Sequence, residues 1–180
     1  MTSAVLAPGY GGTAEQPLLR RLAARLEADG IATSRITFST KRPSRNYATE
    51  KQALRAARDT LLERAGPPVA LIGRSFGGRM CAFLAAEEPP DALVILGHPI
   101  SPPGRPRPAD EAALLGIGCP TLVVQGDRDE LGPLALLERI AGQNPRIDVV
   151  VLRGAAHEYG THEAEAVDAA ARWLGSVLRP

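Results

Sequence analysis

Short apolar runs alternate with longer amphipathic stretches along the whole chain. Six of these runs have the length and composition of β-strands. They are SAVLA (3–7), ATSRITF (32–38), VALIG (69–73), ALVILG (92–97), TLVVQG (121–126) and IDVVVL (147–152). The second run is more polar than the others, which indicates a strand near the edge of a sheet. The third is apolar throughout, as a central parallel strand is.

Helical patterns fill the intervals between these strands, for example Leu18, Leu22 and Leu26 in the first. Helices are predicted over residues 15–29, 47–65, 76–87, 133–142 and 161–178, and a Pro-rich loop at 99–108 leads into a short helical turn. Because crossovers between parallel strands are right-handed, this alternation predicts an α/β fold with a six-stranded, mostly parallel sheet and helices on both faces. The length fits one domain spanning residues 1–180.

The overall charge is nearly balanced, with 21 basic and 20 acidic residues and a formal net charge of +1. This balance gives no support to broad binding of nucleic acid or of anionic membranes. No apolar run approaches the roughly 20 residues of a membrane span, and the start MTSAVLAPGYGG lacks the basic segment of a signal peptide. Cys81 and Cys119 lack metal-type spacing, so we expect reduced thiols in a cytoplasmic protein.

One small hydroxyl stands among glycines between a predicted strand and a predicted helix, in the sequence GRSFG (73–77). This is the G-x-S-x-G pattern in the context that a nucleophile elbow requires. A tight turn would expose the oxygen of Ser75, and side chains two residues away on either side would collide with it, so glycine is needed there. The alternative is a glycine-rich turn that binds a phosphate at the start of the helix.

A serine nucleophile needs a base, and the expected chain order is serine, then an acid, then histidine. His157 follows the last strand, in LRGAAHEYG, and Asp127 and Asp129 follow the fifth, in QGDRDELG. Both segments lie past the carboxyl ends of strands, where parallel sheets place their sites. Asp129 is the expected partner that orients His157, Asp127 is the alternative, and the aspartate that does not bind the histidine is expected to stabilise the turn.

Two other histidines and two backbone N–H groups complete the set of candidates. His162 begins the last helix and is expected to be a solvated or capping residue, whereas His98, at the end of strand four, is a possible lining residue of the pocket. The N–H of Phe76 and the N–H of Tyr10, in the segment APGYGG, are the candidates for an oxyanion hole. The alternative for residues 9–12 is a flexible turn.

The motifs LAPGYGG, GRSFGGRM, LGHPISPPGRP, VVQGDRDELG and RGAAHEYG resemble the α/β-hydrolase superfamily. More narrowly, they are similar to its small lid-less branch, which includes proteins like testis-expressed protein 30 and NSL-complex subunit 3 and lies near the dienelactone hydrolases. The resemblance implies a minimal α/β-hydrolase fold with strand order 2-1-3-4-5-6 and no lid domain. It also implies Ser75 as nucleophile, Asp129 as acid and His157 as base. Many members have His-Gly where this chain has Pro8-Gly9.

The expected function is therefore hydrolysis of a small ester or thioester through a Ser-Asp-His triad and an acyl-enzyme intermediate. No cofactor or metal is expected, and the partners would be a small-molecule acyl substrate, with no nucleic acid and no membrane, for a monomer or homodimer. One alternative is a non-catalytic binding or scaffold protein on the same fold. Another is a nucleotide-binding oxidoreductase, because residues 9–14 fit G-x-G-x-x-A, although the expected acid after strand two is missing.

Several arginines fall near the predicted strand ends. A carboxylate or phosphate on the substrate is one interpretation of this cluster, and ordinary solvated surface charge is the other. The residues are Arg42, Arg45, Arg74, Arg79, Arg105 and Arg107.

Overall fold

A six-stranded parallel sheet forms the centre of the protein. The computed structural model describes residues 1–39 and 41–178. The strands are β1 (Ser3–Ala7), β2 (Ala32–Arg35), β3 (Val69–Arg74), β4 (Ala92–Leu96), β5 (Thr121–Gly126) and β6 (Ile147–Leu152). They lie in the order β2-β1-β3-β4-β5-β6, and all five neighbouring pairs are parallel. The predicted order is confirmed.

Strand β2 ends at Arg35, three residues earlier than the sequence predicts. It lies at the edge of the sheet and pairs only with β1, in a register that places Arg35 opposite Leu6. Strand β1 ends at Ala7 and is followed by Pro8. Beyond Ala7 it therefore offers no further strand residues to pair with the segment that follows Arg35. All four residues of β2 are half-buried, in agreement with the predicted edge position.

In the described part of the chain, six α-helices connect or follow the strands. They are α1 (Pro17–Ala28), α2 (Ala48–Ala65), α3 (Phe76–Glu87), α4 (Pro108–Gly116), α5 (Leu134–Gln143) and α6 (Glu163–Val177). Helix α1 begins at Pro17 rather than at residue 15, because proline is favoured in the first turn of a helix. Helix α4 has nine residues where the sequence predicted only a short turn.

The sheet separates two hydrophobic cores. Helices α1 and α6 cover one face, and α2, α3, α4 and α5 cover the other. Alternate residues of each strand point to opposite faces, so that in β3 Ile72 belongs to the first core and Leu71 to the second. This two-sided burial explains why the central strands are mostly apolar on both faces.

A buried ion pair links helices α3 and α4. The Nε and Nη2 atoms of Arg79 bind the two carboxylate oxygens of Asp110, with 3.0 Å between Nη2 and Oδ2. Arg79 Nη2 also donates to the hydroxyl of Tyr47, 3.1 Å away. Both charged side chains are almost completely buried. The bidentate geometry compensates each charge for its loss of hydration.

We predict that Asp110→Asn lowers the free energy of unfolding by about 3–5 kcal/mol, because it leaves the Arg79 charge buried without a counter-ion. Urea unfolding followed by circular dichroism measures this change. Glu111→Gln is the matched control, since Glu111 lies next along the same helix and pairs with Arg139 at the surface, at 2.9 Å. The control should cost about 1 kcal/mol or less. Equal losses in the two variants would contradict a structural role for the buried pair.

Candidate active site

Ser75 occupies a strained turn between strand β3 and helix α3. Its backbone has φ 50° and ψ −111°, and the helix begins at the next residue, Phe76. A positive φ is rare for residues other than glycine and is maintained only where the surroundings enforce it. The turn places the serine hydroxyl at the helix N-terminus, where free N–H groups and the helix dipole favour negative charge.

The glycines around Ser75 are required because the backbone packs too closely there for any side chain. A Cβ atom on Gly73 would lie 2.3 Å from the carbonyl carbon of Gly77. A Cβ atom on Gly77 would lie 2.5 Å from the carbonyl oxygens of both Ala7 and Pro8. The second contact also shows that the loop after β1 lies directly against the start of helix α3.

The structure brings Ser75, His157 and Asp129 together from three strand ends. The Oγ of Ser75 lies 2.8 Å from Nε2 of His157. The Nδ1 of the same imidazole lies 2.7 Å from Oδ2 of Asp129. With a proton on Nδ1, the imidazole donates to the carboxylate, and its Nε2 can accept a proton from the serine hydroxyl.

Three further hydrogen bonds orient the carboxylate of Asp129. Its Oδ1 accepts from the backbone N–H groups of Leu131 and Gly132, at 2.9 and 3.2 Å. Its Oδ2 accepts from Nε2 of Gln125, at 2.8 Å. Gln125 is itself buried and also donates to the carbonyl of Gly132. Gln125 is not among the residues predicted from the sequence, although a polar residue inside the apolar strand TLVVQG is a usable signal.

Asp127 lies in a different environment from Asp129. Its Oδ1 accepts a hydrogen bond from the backbone N–H of Gly154, at 2.7 Å, and its Oδ2 is 3.8 Å from Arg153. Both partners belong to the segment that follows β6. Asp127 therefore connects the loops after β5 and β6 and makes no hydrogen bond to His157 among the described residues.

Arg74 connects the serine turn to the histidine loop, a role that the sequence did not indicate. The side chain is 3% exposed, and its Nη2 donates to the backbone carbonyl of His157 at 2.5 Å. Its Nη1 donates to the carbonyl of Leu96 at 3.1 Å and lies 3.4 Å from Nε2 of His157. The guanidinium also lies over the ring of Tyr159, 5.1 Å from its centre. These contacts hold the imidazole next to Ser75.

The two candidate oxyanion donors lie on adjacent segments. A Cβ atom on Gly9 would be 3.7 Å from Cβ of Ser75, so the residue before Tyr10 lies beside the serine. The rings of Tyr10 and Phe76 pack edge to face, with 5.8 Å between their centres. Neither backbone N–H donates to another group in the part of the chain that the structure describes. Both are therefore available to a ligand.

An open cleft of about 430 Å³ lies beside Ser75. It is lined by Tyr10, Pro43, Ser75, Phe76, Arg79, Pro99, Pro102, Arg105, Arg107 and Leu131. Its volume falls in the range of small-molecule sites. No lid domain covers the cleft within residues 1–39 and 41–178.

Comparison with known proteins assigns the family. A family model described as an alpha/beta hydrolase domain matches residues 1–177. The chain belongs to the α/β-hydrolase family. The predicted superfamily is thus confirmed, and the narrower resemblance to testis-expressed protein 30 and NSL-complex subunit 3 stays a prediction. A search of curated proteins found no match.

Several solved structures share the fold of this α/β hydrolase. An alpha-beta serine hydrolase homologue from Coxiella burnetii has 24% identity and a TM-score of 0.81, over 96% of this chain and 85% of that one. Dienelactone hydrolase from Anabaena variabilis has 24% identity and a TM-score of 0.81, over 99% and 88%. A lid-less serine hydrolase from Xanthomonas campestris has 20% identity and a TM-score of 0.78, over 98% and 83%. At these identities the likeness establishes the fold.

The other two histidines of the hydrolase lie outside the cleft. His162 is half-buried at the start of α6 and lies 3.3 Å from Glu165. His98 is fully buried, does not line the cleft, and has no hydrogen-bond partner for either ring nitrogen among the described residues. Burial lowers the pKa of His98 to about 4, so its imidazole is neutral at pH 7.

The described ranges carry neither a metal-type side-chain cluster nor a helix suited to crossing a membrane. Residues 1–39 and 41–178 contain no group of three or more His, Cys, Asp or Glu side chains that could hold a metal ion. None of the helices in these ranges is both long and apolar enough to cross a bilayer. Cys81 and Cys119 are free thiols, both buried, and burial raises the pKa of each.

We predict that Gly77→Ala destabilises the hydrolase by about 3 kcal/mol or more, because the new methyl group must displace the backbone of the loop after β1. Gly142→Ala is the matched control, since no atom lies within 4 Å of a Cβ atom at that helical position. The control should stabilise the protein by about 0.5–1 kcal/mol. Thermal unfolding measures both changes, and a Gly77 variant as stable as the wild type would contradict the packing argument.

We predict that His98 makes the hydrolase less stable as the pH falls. Its pKa is lowered from 6.5 in the unfolded chain to about 4 in the folded protein, so the unfolded chain takes up a proton first. The free energy of unfolding therefore decreases below about pH 6.5, by about 3 kcal/mol from this residue at pH 4. His98→Gln should remove this part of the decrease in the free energy of unfolding, measured by urea titrations at pH values from 6.5 to 4. His162→Gln is the control. A His98 variant with the wild-type slope would exclude this origin.

Proposed function

We propose that the protein is a serine hydrolase that cleaves a small ester or thioester through Ser75, His157 and Asp129. The observation that carries the proposal is the unbroken hydrogen-bonded chain from the serine hydroxyl through the imidazole to the carboxylate, at 2.8 and 2.7 Å. The strained backbone of the serine and the two unused N–H groups beside it add further support. Each of these features serves acyl transfer.

In the proposed mechanism, Ser75 Oγ attacks the carbonyl carbon while Nε2 of His157 takes the hydroxyl proton. The Asp129 carboxylate stabilises the imidazolium that forms. The N–H groups of Tyr10 and Phe76 bind the oxyanion of the tetrahedral intermediate. The imidazolium then donates its proton to the departing alkoxide or thiolate. Water hydrolyses the acyl-enzyme by the same steps, with His157 again as the base.

The cleft favours a small acyl group. Its apolar walls come from the ring of Phe76, the exposed ring of Tyr10 and several prolines. It opens to solvent without a cover that would enclose a long lipid chain. We propose a small-molecule substrate and a cytoplasmic enzyme that acts as a monomer or homodimer, with the balanced charge and the buried free thiols as support.

Labelling with a fluorophosphonate probe tests the proposal. We expect the native protein to be labelled at Ser75, as shown by peptide mass spectrometry, because the imidazole activates this hydroxyl alone. The Ser75→Ala variant and heat-denatured protein should not be labelled. A native protein that stays unlabelled would favour a non-catalytic binding or scaffold protein on the hydrolase fold.

The two aspartates allow a matched test of the acid. We expect Asp129→Asn to lower kcat for a short-chain ester by about 10³- to 10⁴-fold, because the imidazole loses its orientation and its counter-charge. Asp127→Asn removes a carboxylate two residues away that makes no bond to His157, and it should retain most of the activity. Both variants are first compared with the wild type by circular dichroism. The proposed triad is wrong if the Asp127 variant is the more damaged in turnover.

A further inference from the structure

The cleft beside Ser75 is lined by basic side chains and by no acidic ones. Arg79, Arg105 and Arg107 contribute to its walls, and the other lining residues are apolar or uncharged. The net charge of the whole chain is only +1, so the excess of positive charge is local. A cleft lined by one sign of charge attracts ligands of the opposite sign.

The three arginines differ in whether a carboxylate balances their charge. Arg79 is bound to the buried carboxylate of Asp110 and is therefore balanced. Arg105 and Arg107 have no carboxylate within 4.0 Å in the described part of the chain. Arg107 is half-buried, and among the described residues its side chain makes one hydrogen bond, from Nη1 to the carbonyl of Pro99, at 2.7 Å. Most of its donors remain available to a ligand.

The local environment opposes the unpaired charge of Arg107. Burial lowers the pKa of the Arg107 guanidinium, and the neighbouring charge of Arg79 lowers it further. A partly buried cation without a counter-ion costs free energy, which an anionic ligand would recover. The wall of the cleft thus contains a cation that has no carboxylate partner in the described part of the chain and uses only one donor on the Pro99 carbonyl.

The chain around these arginines is stiff. The segment PISPPGRPRP (99–108) contains five prolines, and Arg105 and Arg107 each stand next to one or two of them. Proline fixes its own φ and restricts the residue before it, so both arginines are held with little backbone freedom. Their backbone is also tied by hydrogen bonds from Arg105 N to Pro102 O and from Asp110 N to Arg107 O. A backbone restricted in this way loses little further backbone entropy when a ligand binds.

We infer that the cleft selects esters or thioesters that carry a second, anionic group, such as a carboxylate, which Arg107 and Arg105 bind while Ser75 meets the acyl carbon. This inference rests on the proposed hydrolase function and names its substrate class. The guanidinium of Arg107 is the principal contact because it is half-buried and has donors free. Arg105 is exposed and adds a screened contribution.

Matched ester pairs test the inference. The first pair is para-nitrophenyl hexanoate and mono-para-nitrophenyl adipate, which differ only by a carboxylate in place of the terminal methyl group. The second is phenyl hexanoate and para-carboxyphenyl hexanoate, which places the anion on the leaving group. We expect KM for the anionic member of at least one pair to be about 10-fold or more below that of its neutral partner. The rate measured with the Ser75→Ala variant is subtracted from each rate, to remove hydrolysis that does not depend on Ser75.

Neutral variants then assign the preference to residues. Arg107→Gln should raise KM for the preferred anionic ester about 10-fold and leave the neutral ester within about 2-fold. Arg172→Gln makes the same charge change on helix α6, across the sheet from the cleft, and should leave both esters unaffected. Equal KM values within both pairs would overturn the inference, as would a preference that Arg107→Gln and Arg105→Gln both leave intact.

A binding measurement separates this inference from the proposed function. Adipamate and hexanamide, uncleaved amide analogues of the first pair, are titrated by calorimetry into the Ser75→Ala variant with and without Arg107→Gln. If no ester is turned over and the fluorophosphonate does not label Ser75, the hydrolase proposal fails. The anion site is still supported if adipamate binds about 10-fold tighter than hexanamide and loses that advantage in the double variant. It is overturned if the two amides bind alike or neither binds.

Discussion

The positive φ of Ser75 is the constraint on which the rest of the site depends. A turn of this kind costs about 1–3 kcal/mol and persists only where packing enforces it. Here the enforcing contacts are the bare backbones of Gly73 and Gly77, which meet each other and the loop after β1. A hydrogen bond from Ser75 N to Leu96 O, at 3.0 Å, ties the same turn to the neighbouring strand. Contacts with the central parallel sheet therefore keep Ser75 in this strained conformation.

Buried polar side chains of the sheet also fix the positions of His157 and Asp129. Gln125 fixes the carboxylate of Asp129 from within β5, and Arg74 binds the backbone of His157 from the end of β3. Both side chains donate hydrogen bonds to buried or half-buried acceptors, which offsets part of the free energy lost with their hydration. The result is a site whose geometry exists before any ligand arrives, which is the condition for efficient acyl transfer.

Arginine serves three separate purposes around the cleft. Arg74 binds main-chain carbonyls, and Arg79 forms an ion pair with Asp110 that joins two helices. Arg107 holds one carbonyl and keeps its remaining donors free. The sequence shows six arginines near strand ends and does not distinguish these roles, because the role depends on whether a carboxylate from a distant segment reaches the guanidinium.

The sequence alone predicted the number of strands, their parallel arrangement and the motifs at their ends, because hydrophobic periodicity and glycine patterns are local. It also separated Ser75, Asp129 and His157 as candidates, since their order along the chain is itself a signal. It could not determine where β2 ends, how long α4 is, or what Gln125 and Arg74 hold. Those outcomes depend on contacts between residues far apart in the chain. Only the packed sheet, which brings the strand ends to one edge, decided them.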